Sequence, residues 1–341
     1  MKIRIATDQD ERAWDSYALN HPQGVAYHQF AWGRAVKQAY RFEPVYFLAE
    51  KNLKICGIFP LVQMKIPILG KRLVSLPYCD LGGVLADDEA VKAALQQVAI
   101  NFARTEQIKK LELRYAALPE EKTVTNKVRM VLSLPESSES LLAGLKAKLR
   151  SQVKKPIRDG LKAKVGGSEL VSDFYRVFSE NMRDLGSPVH SLDWIKAVVD
   201  NYADNVKIGL VFTPDCEPVA AGIILLHGDI VSIPWASSLR RFNHLNSNML
   251  LYWSFLAFAA DNGYHYFDFG RSTPGEGTYK FKQQWGARPE ALAWVDLVSI
   301  QKFEADTQRS NFRILSELIW KKMPLVFCDQ IGPRIRKYIS L

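Results

Sequence analysis

At 341 residues the chain exceeds the size at which one hydrophobic core usually stops growing, which predicts two domains. A composition of 48% hydrophobic and 24% charged residues excludes a disordered or fibrous protein. The formal net charge of +9 favours an anionic partner, such as a phosphate-rich cofactor, RNA or a membrane surface, and a plain solubility margin is the competing explanation.

The amino-terminal segment, MKIRIATDQDERAWD, lacks the apolar stretch of a secretory signal. This predicts a cytoplasmic protein and leaves contact with the inner face of the cytoplasmic membrane open. Four widely separated cysteines, without a C-x-x-C pair or a Cys/His cluster, argue against a disulfide framework and predict no metal site.

Alternating helical and strand periodicities predict an α/β or mixed-sheet α+β architecture. A helix with Trp32 precedes the hairpin EPVYFLAEKNLKICGIFPLV, and a helix with Trp194 precedes the hairpin NVKIGLVFTPDCEPVAAGIILLH. Similar landmarks recur at nearly constant offsets, namely 162 positions for Trp32 and Trp194, 165 for Gly57 and Gly222, and 156 for Glu112 and Asp268. This regularity predicts two copies of one supersecondary unit. The predicted domains are 1–135, with 318–341 as a further segment that completes it, and 136–317.

Between the copies lies a basic segment, predicted as a linker helix over 138–164. An apolar side chain recurs there at every fourth residue from Leu141 to Val153, which places one stripe on a helix. Pro156 is expected to kink or restart this helix. A solvated charged face is the plain alternative to a phosphate-binding function for its lysines and arginines.

Further along the chain, His190 follows a turn, and either a site role or a structural role suits it. The segment from Arg241 to Asn246 lies where an acyl-CoA-dependent acetyltransferase would carry the turn [RQ]-x-x-G-x-[GA] that holds pyrophosphate. Residues with side chains occupy both glycine positions here. This disfavours acetyl-CoA as the donor but does not exclude it.

The stretch FDFGRSTPGEGTYKFKQQWGA, residues 267–287, predicts a buried strand, a tight loop and a short helix. It does not complete a G-x-G-x-x-G fingerprint, because Lys280 occupies the third glycine position. Phe281 and Trp285 are predicted to pack inward while Lys280 and Gln284 face outward. A lysine here suits stabilisation of an oxyanion or a phosphate, and a tight loop with ordinary surface lysines is the alternative. The predicted substrate-binding residues are Tyr279, Phe281, Arg271, Gly275, Gly277, Arg241 and His190.

After residue 300 the pattern predicts a helix whose buried face is formed by Ile314, Leu315, Leu318 and Ile319. The basic tail PRIRKYISL that follows suits RNA or lipid head groups.

The 267–287 stretch resembles the closing motif of the Fem-type aminoacyltransferases, a branch of the GNAT-like acyltransferases, and is most similar to their exosortase-associated subgroup. YHQFAWGRAV, LVSLPYCDLGGVLA, KLRSQVKKPIRDGLKA and WASSLRRFNHLNSNMLLYW agree, so the resemblance spans roughly residues 25 to 290. It implies two GNAT-like domains in tandem. It also implies transfer of an amino acid from aminoacyl-tRNA, with no bound cofactor, to an amine of a cell-envelope precursor, either peptidoglycan or exopolysaccharide.

Residue by residue, Phe281 and Lys282 match the family's Phe-Lys pair, in which the lysine stabilises charge at the transferred acyl group. The family's basic segment between domains is matched by Arg150, Lys154, Lys155 and Arg158. Two positions depart from the family pattern: Val36 replaces a lysine, and Pro156 lies within the basic segment. Asp268 is the candidate base, and a structural pairing with Arg271 is the alternative. An acyl-CoA-dependent N-acetyltransferase and a non-catalytic RNA or membrane adaptor stay as competing functions.

Overall fold

The computed structural model describes residues 1–117, 126–298 and 311–340, which form two compact units. Of these residues, the first unit holds 1–117, 126–129, 290–298 and 338–340, and the second holds 130–289 and 311–337. Both units combine a mixed sheet with helices, which confirms the predicted fold class.

The first unit is a sheet whose strands are connected by helices. Its elements in chain order are β1 (Lys2–Ile5), α1 (Glu11–Asn20), α2 (Phe30–Tyr40), β2 (Glu43–Lys51), β3 (Lys54–Ile66), β4 (Gly70–Val74), β5 (Leu85–Ala86), α3 (Glu89–Thr105) and β6 (Leu111–Ala116). Strands β1 to β4 pair antiparallel in sequence order, the short β5 pairs with β3, and β4 pairs parallel with β6. The parallel step requires the α3 crossover between β4 and β6.

The second unit repeats this arrangement. Its elements are β7 (Val128–Ser133), α4 (Ser138–Gly144), α5 (Ala147–Arg158), β8 (Lys162–Gly166), α6 (Val171–Leu185), α7 (Leu192–Tyr202), β9 (Val206–Phe212), β10 (Pro218–His227), β11 (Ile230–Ser238), α8 (Ser247–Asp261), β12 (Tyr266–Ser272) and α9 (Gly277–Gln284). Strands β8 to β11 pair antiparallel in order, and β11 pairs parallel with β12. The series strand, two helices, three strands, helix, strand is therefore common to both units.

The glycines that mark the sequence repeat have one physical cause. A Cβ atom on Gly57 of β3 would lie 2.7 Å from Val91 of α3, and one on Gly222 of β10 would lie 2.7 Å from Phe255 of α8. Both distances are shorter than van der Waals contact, so only glycine permits the crossover helix to pack this closely on the sheet. Gly57 and Gly222 thus lie at the same kind of helix-on-sheet contact, once in each unit.

Each sheet gains one further strand outside the repeat. β13 (Arg288–Asp296) pairs antiparallel with β6, from Leu292 opposite Ala116 to Asp296 opposite Glu112. β7 lies next to β12. β13, which follows β12 in sequence, therefore extends the first unit's sheet. Most of β7, which follows β6 in sequence, belongs to the second unit. The sequence repeat does not predict this exchange.

The basic segment differs from the single helix predicted over 138–164, because α4, α5 and β8 occupy it. The apolar stripe is confirmed, with Leu141, Leu145, Leu149 and Val153 all buried. Pro156 does not restart the helix: α5 continues through it to Arg158, since a proline in the last turn sacrifices few backbone hydrogen bonds.

Helix α8 packs against strands β8 to β11 on one side and against α4 and α5 on the other. This double burial explains why it is apolar all round. Among the described residues, no helix has the combined length and apolar character needed to cross a membrane.

The chain ends with α10 (Asn311–Lys322) and α11 (Leu325–Arg336), both packed on α6. The predicted buried face of α10 is wrong for three residues, because Leu315, Leu318 and Ile319 are exposed. The α10 residues that pack on other elements of the unit are instead Glu317, which approaches Gly186 at the end of α6, and Trp320, which approaches Gly332 of α11. The side chain of Ile314 lies outside the described residues.

Candidate active site

A gap between two parallel strands defines the candidate site. Strands β11 and β12 share register only from Ile230 opposite Tyr266 to Ser232 opposite Asp268. Beyond this point β11 stays paired with β10 as far as Ser238, while β12 continues to Ser272. The ladder between the two strands ends there, so their further backbone groups do not pair with each other.

The β12 side of the gap is shaped by a bend at Gly270. Gly270 has φ +72°, a left-handed conformation that favours glycine, and its amide donates to Oδ1 of Asp268 at 2.8 Å. Nζ of Lys282 donates to the carbonyl oxygens of Gly270 and Arg271 at 3.0 and 2.7 Å. Asp268 and Lys282 therefore hold opposite ends of the Gly270 residue.

Lys282 reaches the strand from helix α9, where its side chain is only 7% exposed. Phe281, the preceding residue, packs edge-on against Tyr252 of α8 with ring centroids 4.9 Å apart. Trp285 is buried, and Lys280 and Gln284 are exposed, as the helical spacing predicts. The aromatic contacts fix the rotation of α9 and so aim Lys282 at the bend of β12.

The loop before α9 leaves open space at its glycines. Gly275 has φ +85°, and Cβ atoms built on Gly275 and Gly277 meet nothing within 4 Å. Backbone amides at such positions are open to a ligand without side-chain obstruction. Tyr279, on the first turn of α9, is partly buried. The predicted residues Gly275, Gly277, Tyr279, Phe281 and Lys282 thus belong to one loop and helix.

The other predicted substrate residues have different surroundings. Arg241 forms ion pairs with Glu180 and with Glu217, the latter at 2.8 Å. His190 is 1% exposed, with the rings of Trp194 and Trp235 centred 5.8 and 6.3 Å from its own. Burial, with a smaller contribution from the charge of Arg336, holds the pKa of His190 well below its usual value. A neutral imidazole among tryptophans corresponds to the structural alternative.

The basic residues of α5 divide into two groups. Arg150 donates to the carbonyl oxygens of Ala143 and Leu145 at 2.9 and 2.7 Å, so it caps the end of α4. Lys155 pairs with Asp159 one turn later. Lys154 and Arg158 are exposed and, four residues apart, share one face of the helix. This face is the part of the segment that is suited to bind phosphates.

Sequence reasoning missed two side chains near the gap. Asn181 of α6 donates from Nδ2 to Oγ of Ser237 on β11 at 3.1 Å, and thereby orients a hydroxyl near the far end of the strand. Tyr252 of α8 packs against the ring of Phe281. Burial raises the pKa of the Tyr252 phenol. Asn181 lies in the last two turns of α6, and nothing in the sequence indicates that this helix faces β11.

The corresponding position of the first unit is occupied by its own side chains. Arg114 of β6 is fully buried and donates to Oε1 of Glu112 at 2.5 Å, to the carbonyl oxygen of Cys79 at 2.7 Å, and to both oxygens of Ser340 at 3.0 Å. Burial acts to raise the pKa of Glu112, but the charge and hydrogen bonds of Arg114 hold it below its ordinary value. In the first unit, the polar groups at the end of β6, the strand equivalent to β12, therefore have hydrogen-bond partners from the chain itself.

Two family models match the chain. Residues 77–214 match the FemAB family, and residues 147–283 match the acetyltransferase (GNAT) domain. The second match contains the β11–β12 gap and Lys282. Both matches are to acyltransferase families, and the chain is an acyltransferase. A comparison with curated proteins finds no match.

Solved structures share the fold of this acyltransferase. FemX is similar with a TM-score of 0.68 and 13% identity over 94% of this chain and 100% of its own. L-PGS from Bacillus licheniformis has a TM-score of 0.53 and 13% identity, over 94% of this chain and 100% of its own. A tandem GNAT protein from the clavulanic acid biosynthesis pathway has a TM-score of 0.55 and 8% identity, over 87% and 98%. These likenesses confirm the tandem GNAT-like fold.

Proposed function

We propose that the chain transfers an aminoacyl group from aminoacyl-tRNA to an amine of a cell-envelope precursor, either peptidoglycan or exopolysaccharide, on the cytoplasmic side of the membrane. The observation that carries the proposal is the buried ammonium of Lys282, held by two carbonyl oxygens at the bend of β12. The FemAB match and the likeness to FemX support the aminoacyl donor. The exosortase-associated subgroup stays a prediction.

The reaction requires little acid–base chemistry from the protein. The neutral acceptor amine attacks the ester carbonyl of the donor, a C–N bond forms, and the carbonyl oxygen becomes an oxyanion. Lys282, whose side chain is already fixed, stabilises this charge without reorganisation. When the intermediate collapses, the C–O bond to the ribose breaks, and the proton lost by the amine passes to the departing ribose oxygen.

Asp268 acts in this proposal as a positioning residue. Its Oδ1 accepts from the Gly270 amide, and the Gly270 carbonyl in turn accepts from Lys282. An ester is an activated acyl group, so alignment of the two substrates contributes much of the rate. The exposed face of α5 with Lys154 and Arg158 is suited to hold the tRNA backbone through its phosphates.

The test is transfer of a labelled amino acid from charged tRNA to an envelope-precursor extract. We expect transfer to stop after ribonuclease treatment and to fall about 10²–10³-fold in Lys282→Met, which keeps the aliphatic stem but removes the charge. Lys280→Met is the matched control, because Lys280 lies on the same helix and is exposed.

Transfer that survives ribonuclease would contradict the tRNA donor. Release of free CoA thiol from acetyl-CoA in the presence of the same extract would then favour the N-acetyltransferase alternative. Equal losses in Lys280→Met and Lys282→Met would contradict the role given to Lys282.

A further inference from the structure

The C-terminal helices α10 and α11 present large apolar side chains to solvent. On α10 these are Leu315, Leu318 and Ile319, and on α11 they are Val326, Phe327, Ile331 and Ile335. Leu318 and Phe327 are 52% and 54% exposed. We call these seven residues the C-terminal apolar surface. Surface hydrophobic residues scattered singly need no explanation, but seven on two consecutive helices do.

The exposure of these side chains does not come from loose packing, because both helices are anchored by other faces. On α10, the Cα atom of Glu317 lies 3.1 Å from where a Cβ atom on Gly186 would be. Asp329 accepts a hydrogen bond from Ser179 of α6, and Cys328 is buried. Gly332 packs so closely that a Cβ atom on it would lie 3.1 Å from the backbone nitrogen of Val189. The outward direction of the C-terminal apolar surface therefore follows from firm contacts on the inward faces.

The spacing on each helix is that of an amphipathic segment. Leu315, Leu318 and Ile319 lie at positions i, i+3 and i+4 of α10, and Phe327 and Ile331 lie one turn apart on α11. A face of this kind normally turns inward. Here it turns outward on both helices.

Positive charge accompanies the apolar residues. Residues 311–340 contain six lysines and arginines against two acids. Lys321, Lys322 and Arg334 are exposed on the same two helices. Apolar side chains flanked by basic residues are the pattern that binds the interface of an anionic bilayer.

We propose that the C-terminal apolar surface docks on an anionic lipid membrane, with its leucine, isoleucine and phenylalanine side chains among the acyl chains and the lysines at the head groups. Each helix has 12 residues and spans about 18 Å, less than the ~30 Å hydrocarbon core, so both lie in the plane of the interface. RNA fits less well, because six of the seven side chains are aliphatic and offer bases no stacking surface. This inference stands apart from the proposed function and holds for any activity of the chain.

The experiment is co-sedimentation of the full chain with vesicles of phosphatidylcholine, alone or with about one third phosphatidylglycerol. We expect binding to the anionic vesicles that weakens as salt is raised. Leu318→Glu combined with Phe327→Glu is expected to lower the partition coefficient more than about 10-fold, since it removes apolar insertion and adds repulsion. Lys321→Gln combined with Lys322→Gln is expected to lower the partition coefficient about 20-fold on anionic vesicles only. Each basic residue near an anionic membrane surface strengthens binding several-fold through electrostatic attraction.

Leu19→Glu is the matched control, because Leu19 is an exposed leucine of α1 in the first unit. It is expected to leave binding unchanged. Circular dichroism and thermal unfolding of every variant should match the parent chain, since all the substituted side chains are exposed.

Three results would overturn the proposal. One is failure of the parent chain to bind anionic vesicles. Another is that the variant with Leu318→Glu and Phe327→Glu loses self-association in sedimentation velocity while its vesicle binding is unaltered. This result would identify a second copy of the chain as the occupant of the surface. The last is weaker binding of bulk tRNA in the lysine variant with unaltered vesicle binding, which would assign the surface to RNA.

Discussion

At the scale of single residues, the main finding is the chain of contacts through Gly270. The sequence predicts Lys282 as the charge-stabilising group and leaves Asp268 as either base or structural residue. Oδ1 of Asp268 accepts a hydrogen bond from the amide of Gly270, two residues further along β12. The carbonyl oxygen of Gly270 in turn accepts a hydrogen bond from Lys282. Asp268 is therefore linked to Lys282 through the backbone of Gly270.

Asp268→Asn separates a positioning role from a proton-accepting role. The asparagine retains an oxygen that accepts from the Gly270 amide, so we expect transfer within about 5-fold of the parent chain and an unaltered pH–rate profile. Asp268→Ala removes the acceptor and leaves the bend unsupported, with an expected loss of about 10-fold or more in kcat. If Asp268 were the base, Asn and Ala would be equally damaging, and steady-state kinetics against pH would show it.

The burial of Lys282 could not be predicted from helical spacing. The i, i+4 rule correctly assigns Phe281 and Trp285 to the inside and Lys280 and Gln284 to the outside. Lys282 shares no i, i+4 pair with any of the four, so its direction depends on where β12 lies. The bend of β12 depends on the φ of Gly270, which a glycine in a sequence permits but does not specify.

At the scale of elements, the sequence repeat predicted the order of strands and helices in both units. It succeeded because a helix that crosses a sheet closely requires glycine at one strand position, and this requirement recurs at Gly57 and Gly222. The placement of β7 and β13 was not predictable in the same way. Strand patterns indicate which face is buried, but they do not identify the neighbouring strand.

The basic segment shows that residues of one charge can have separate functions. Arg150→Ala removes two hydrogen bonds to carbonyl oxygens at the end of α4, so we expect the free energy of unfolding to fall by about 1–2 kcal/mol. Lys154→Ala with Arg158→Ala should leave unfolding unchanged and weaken tRNA binding about 10-fold, with a shallower salt dependence. Urea unfolding and filter binding would measure the two effects. A tRNA-binding loss in Arg150→Ala alone would contradict this division.

At the scale of the whole molecule, residues 338–340 belong to the first unit, although the helix that precedes them, α11, belongs to the second. Arg114 donates to both oxygens of Ser340, the Tyr78 amide donates to the Ser340 carbonyl at 2.6 Å, and Arg72 donates to the Tyr338 carbonyl at 2.8 Å. Buried donors depend on these acceptors.

Ending the chain after Lys337 should therefore destabilise the first unit by about 3 kcal/mol, because the buried guanidinium of Arg114 loses acceptors that water cannot replace. Hydrogen–deuterium exchange should show faster exchange in peptides from β4 and β6 and unchanged exchange in β9 and β10. Ser340→Ala, which removes only the hydroxyl, is expected to cost about 1 kcal/mol. Uniformly faster exchange in both units would contradict the assignment.

The contact between Arg114 and Ser340 also orders events during synthesis. The two residues are 226 positions apart, so most of the second unit is translated before the acceptor for Arg114 exists. Until then Arg114 of the nascent first unit has Glu112 and Cys79 as acceptors but lacks Ser340. A ribosome-bound chain should thus present an incompletely bonded first unit to chaperones until residues 338–340 have emerged.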